Sequence, residues 1–149
     1  MSLEEKINTD LKAAMLSKNE AALRALRAVK SAILLAKTSG TGGEVSDAEE
    51  LKLLQKLVKQ RKESVEIYDQ QGRGDLAASE KEEIAVIEKY LPAQMSEGEI
   101  RAELIKIIEA TGAKSASETG KVMGAASKAF AGRADNKLVA ALVKELLSN

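Results

Sequence analysis

Apolar side chains recur every three or four residues along almost the whole chain, the spacing that lines one face of an α-helix. The first stripe is Leu3, Ile7, Leu11 and Met15. Ser2, with Glu5 three residues on, forms a capping box before it and predicts a helix to about Lys18. Asn19 is placed to cap a second helix, whose stripe is Leu23, Leu26, Val29 and Ile33 and which stops at TSGTGG, residues 38–43. Ser46 and Glu49 open a third, longer helix through Leu51, Leu54, Val58, Val65 and Tyr68. Arg61 interrupts that seam. Gly72 and Gly74 end it, and Asp75 is placed to cap a fourth helix carrying Leu76, Ile84, Ile87 and Leu91.

Pro92, the only proline, disfavours helix at Leu91 and predicts a domain boundary. Beyond it, Ser96 and Glu99 form another capping box, starting a helix through Ile100, Leu104 and Ile108 to Gly112. Two more helices are predicted over roughly 117–131 and 135–147, separated by Gly132. No segment alternates with period two for long enough to predict a strand. The expected fold is all-α: an N-terminal four-helix domain over 1–92 and a small three-helix domain over 93–149.

Composition narrows the chemistry. The chain has 149 residues and only three aromatics, Tyr68, Tyr90 and Phe130, so its core must be aliphatic. Basic and acidic residues balance at 23 each, which confines any nucleic-acid role to a local patch. There is no Cys, hence no disulfide or thiolate, and no His, hence no Ser-His-Asp triad. The phrase TGAKSASETGK, 111–121, lacks phosphate-loop spacing, and Val122 stands where a magnesium-binding hydroxyl belongs. The carboxylates of EKEE, 80–83, read as solvated charge on an outer helix face. No catalytic residue, cofactor or metal is therefore expected. The polar start, MSLEEKIN, carries no apolar run long enough for a signal peptide or membrane span, and predicts a cytosolic protein.

Three stretches carry a family resemblance: LRALRAVKSAI (23–33), GRGDLAASEKEEIAVIEKYLP (72–92) and GKVMGAASKAFAGRADNKLVAALVKELL (120–147). The chain resembles the YqeY-like proteins over nearly its full length. Its C-terminal part is similar to the tail of GatB, the B subunit of the tRNA-dependent aspartyl/glutamyl amidotransferase. Arg73, Asp75, Leu76, Glu80, Glu83 and Tyr90-Leu91-Pro92 match the family pattern, as do Gly120-Lys121-Val122-Met123 and Gly132-Arg133-Ala134-Asp135. Asn136 departs from it, standing where Gly is common. The resemblance implies an all-helical pair of subdomains, a tail that helps hold tRNA, and a carbon–nitrogen ligase label with glutamine as amido donor.

Together these give the expected function: a non-catalytic accessory that binds or presents tRNA, with an aminoacyl-tRNA synthetase or amidotransferase as protein partner and no membrane. An adaptor docking a larger translation enzyme, or an amidotransferase component active only in a complex, stand as alternatives. The expected RNA contacts are Lys121, Lys128, Arg133, Lys137 and Lys144. On a helical wheel Lys121 and Lys128 fall together opposite the apolar stripe, as do Lys137 and Lys144. Two readings compete for Gly120 and Gly124 on the flank: tight packing against another helix of the chain, or close approach of RNA to the backbone. Two further basic clusters compete as contact sites, one along the second helix (Lys18, Arg24, Arg27, Lys30, Lys37) and one on the third (Lys52, Lys56, Lys59, Arg61, Lys62).

Overall fold

The computed structural model describes residues 2–39 and 43–148, and among them every regular element is helical. The chain divides into two compact units, Met1–Pro92 and Ala93–Asn149.

The first unit holds α1 (Leu3–Ser17), α2 (Glu20–Ser39), α3 (Asp47–Gln70) and α4 (Gly74–Glu88). Capping boxes at Ser2 and Ser46 start α1 and α3, each satisfying orphan backbone donors of the first turn. Asn19 caps α2 through Oδ1, which accepts from the Ala22 amide at 3.1 Å. The apolar stripes converge on Ile7, Ala25, Val29, Leu54 and Ile87, all almost wholly buried. An ion pair between Lys37 and Glu4 joins the end of α2 to the start of α1, so the two helices run antiparallel. α3 packs along α4, and α2 packs against both α1 and α4.

The second unit holds α5 (Glu97–Thr111), a single 3-10 turn (Ala116–Glu118), α6 (Thr119–Ala129) and α7 (Asn136–Leu147). Its core is separate: Ile100, Leu104, Val122, Ala126, Val139 and Val143, closed by Phe130. The Gly-Arg-Ala-Asp sequence is the turn between α6 and α7. Gly132 takes φ +73°, a left-handed backbone that costs a side chain and suits glycine. Ala134 is buried, and the Asp135 carboxylate accepts from the Lys137 amide at 3.1 Å to cap α7. The Met95 amide donates to the Arg133 carbonyl at 2.9 Å, tying the segment before α5 to this turn.

Several local expectations are corrected. α4 starts at Gly74, with Arg73 at its N-cap. Asp75 lies in the first turn and pairs with Arg73 at 3.2 Å. The first helix does end at about Lys18 as expected, with that non-glycine residue in the left-handed region at φ 56°. The sixth helix is shorter than 117–131, because its first turn tightens to 3-10 and it ends at Ala129. In the TSGTGG stretch, Thr38 and Ser39 still belong to α2, and residues 40–42 lie outside the described residues. The packing reading of the glycines also falls. A methyl group added at Gly120 or Gly124 would meet nothing within 4 Å, so neither marks a close helix contact within the chain.

Candidate functional site

The densest set of interacting charged side chains lies where α2, α3 and α4 meet. Arg61 sits on the apolar seam of α3 because it has partners there. Its Nε donates to Glu83 Oε1 at 3.2 Å and its Nη1 to the Leu57 carbonyl at 3.0 Å. Arg24 of α2 reaches the same carboxylate from the other side, its Nε lying 3.5 Å from Glu83 Oε2, and its Nη2 donates to Glu82 at 3.3 Å. The Arg61 and Glu83 side chains keep only 15% and 13% of their surface exposed, whereas Glu82 keeps 59%. Both oxygens of Glu83 are thus engaged by guanidiniums from two other helices. The group works as a tie between helices, with one guanidinium on each carboxylate oxygen.

This corrects the reading of residues 80–83 as solvated charge, which holds for Lys81 and Glu82 but not for Glu83 or the half-buried Glu80. Burial lifts the Glu80 carboxyl above the ordinary glutamate range, and the neighbouring Glu83 adds to this. Arg61 and Arg24 pull it partly back. Arg73 and Asp75 form a bidentate, fully exposed pair. Hydrogen bonding from Arg73 holds the Asp75 carboxyl below its usual range. At the other end of α4, the Tyr90 hydroxyl donates to Asp10 of α1, and burial, followed by that contact, pushes the phenol upward. Several residues of the 72–92 motif therefore fasten α4 to its neighbours. The sequence signal for Glu83 was Arg61 itself, since a guanidinium on a buried seam demands a carboxylate across from it.

The five expected RNA contacts, Lys121, Lys128, Arg133, Lys137 and Lys144, are all exposed, and none of them enters an ion pair among the described residues. Lys121 and Lys128 stand about 10 Å apart along one face of α6, and Lys137 and Lys144 likewise along α7. Each pair points away from the shared core. The structure thus brings the lysines together within each helix, one pair on α6 and one on α7. Arg133 sits in the intervening turn, its Nε 3.5 Å from the Ala93 carbonyl. Among the described residues no group of His, Cys, Asp and Glu is arranged to hold a metal, and no helix is long and apolar enough to cross a membrane.

Comparison with known proteins places these features in a family. The model of the YqeY-like protein family matches residues 4–147. The chain belongs to the YqeY-like family. A protein of Pyrenophora tritici-repentis named "Altered inheritance of mitochondria protein 41, mitochondrial" is 30% identical over 145 residues, covering 95% of this chain and 79% of that protein. The protein of the same name in Clavispora lusitaniae is 37% identical over 90 residues, 60% of this chain and 52% of its own length. That of Saccharomyces cerevisiae is 34% identical over 82 residues, covering 55% of this chain and 44% of the relative. The chain thus spans about half the length of the Clavispora and Saccharomyces relatives.

These relatives overturn two expectations. They are named as mitochondrial proteins, which contradicts the expected cytosolic location. The physical reason is that lacking an early apolar run argues only against secretion and membrane insertion. Mitochondrial leaders are amphipathic and Arg-rich instead. The expected role as a tRNA-binding amidotransferase accessory is likewise corrected, since the relatives are named for mitochondrial inheritance. The Gly-Arg-Ala-Asp motif behind that expectation has a folding role, as the turn and cap of α7.

Proposed function

We propose that this chain serves the process for which its relatives are named, the inheritance of mitochondria, as a mitochondrial protein acting through surface contacts of its first unit. The observation that carries the reading is the Pyrenophora protein, whose similarity extends over 95% of this chain and so includes both units. The first unit is favoured as the contact surface because the most exposed apolar side chains lie there. Leu16 has 87% of its surface exposed and Leu35 69%, and each stands beside a second exposed apolar residue, Met15 and Leu34. Neighbouring apolar pairs left in water on otherwise polar helix faces are a feature of protein contact sites.

The test is replacement. In Saccharomyces cerevisiae lacking its own relative, this chain, directed to the organelle by an added leader, restores delivery of mitochondria to daughter cells. Daughter cells as poorly supplied as those of the deletion strain, with the chain present at normal level inside mitochondria, would refute the reading.

A further inference from the structure

A separate feature of the first unit lies at the opposite end of α4 from Arg73. The starts of α1 and α3 and the end of α4 enclose an open cleft of about 420 Å³. Leu51 and Leu54 give it an apolar wall, while Lys6, Lys89, Asp47 and Glu50 line the remainder. Two cations and two carboxylates therefore share one cleft. Yet none of these four side chains makes an ion pair or hydrogen bond among the described residues. Elsewhere in the unit opposite charges brought together do pair, as Lys37 does with Glu4 and Lys62 with Glu88. Glu50 is half-buried, and Asp47 and Lys6 both act on it through space without touching it.

We propose that this cleft binds a small zwitterion with apolar side chains, a hydrophobic dipeptide being the simplest, its carboxylate held by the lysines and its ammonium by Asp47 and Glu50. The chemistry follows from complementarity. A ligand of one sign would leave half of the lining charges facing like charge, and an uncharged one would strip water from all four with no replacement. A zwitterion supplies a partner to each sign while its side chains cover the half-buried Leu51. The cleft volume falls within the range of small-molecule sites.

The test is calorimetric titration of the full chain, at low salt, with leucyl-leucine, N-acetyl-leucyl-leucine and leucyl-leucine amide. Each control peptide lacks one charge, and each should bind about tenfold more weakly than leucyl-leucine, the scale of one charge-assisted hydrogen bond. Glu50→Gln should weaken leucyl-leucine and leave the N-acetyl peptide unchanged. Lys6→Gln should weaken it and leave the amide unchanged. Lys6→Gln should melt as the parent does, since its side chain is exposed and unpaired, and Glu50→Gln should melt at or above the parent at neutral pH, since burial disfavours the Glu50 carboxylate. Equal binding of all three peptides would overturn the proposal. So would the absence of any heat up to about 10 mM leucyl-leucine, where even a weak site of this kind fills.

Discussion

At the scale of single residues, the decisive contrast lies between two adjacent glutamates of α4. Glu83 is almost enclosed and engages Arg61 and Arg24, whereas Glu82 is exposed and touches only Arg24. Glu83→Ala leaves the Arg61 guanidinium buried beside an apolar seam and should cost roughly 2–4 kcal/mol. Glu82→Ala removes a surface pair and should cost less than about 1 kcal/mol. Urea unfolding of the two variants measures both, and equal losses would contradict the tie. Glu80 supplies a pH test. Its folded pKa is raised by burial, so its contribution to stability is fully present below the unfolded glutamate value of about 4.3. That contribution is lost as pH rises through the folded value. Glu80→Gln should therefore match the parent at low pH and exceed it in stability above that window, read as urea midpoint against pH. A charged break in a stripe, Arg61, was legible in the sequence. Its partner was not, because Glu83 is 22 residues away and identified only by how α3 and α4 pack.

At the scale of elements, periodicity and capping chemistry carry most of the fold. Ser2, Ser46 and Ser96 each pair reciprocally with the glutamate three residues on, as their spacing predicts. What escaped were ends set by backbone geometry rather than by a capping side chain: the start of α4 at Gly74 and the 3-10 turn before α6. The glycines of α6 now make a clear prediction. Gly124→Ala places a methyl in open space on a helical backbone, and should stabilise the chain by up to about 1 kcal/mol. Gly112→Ala meets no clash either, but at φ +73° it should cost about 1–2 kcal/mol. Thermal unfolding of the full chain reads both. A destabilising Gly124→Ala would mean that α6 has a close neighbour on that face.

At the scale of the whole molecule, composition and motif pointed to the family, and the family match over residues 4–147 agrees. Function was less legible. Surface lysines opposite an apolar stripe arise on solvated helices of many kinds, and short glycine motifs turned out to shape a turn. The informative surface was instead the exposed apolar pairs of the first unit. Their exposure is visible only once the helices are packed, because Met15 and Ile33 both continue an apolar stripe, yet Ile33 is buried and Met15 is not. The most direct test of the account is the count of daughter cells that receive mitochondria in yeast lacking the relative and supplied with two variants of this chain. Leu16→Glu/Leu35→Glu changes the first unit's exposed apolar pairs, and Lys121→Glu/Lys128→Glu changes the α6 cations. Both should keep the parent's melting temperature, since all four side chains are exposed. The account predicts that the leucine variant fails to restore inheritance and that the lysine variant restores it as the parent does. Restoration by the leucine variant with failure of the lysine variant would contradict it.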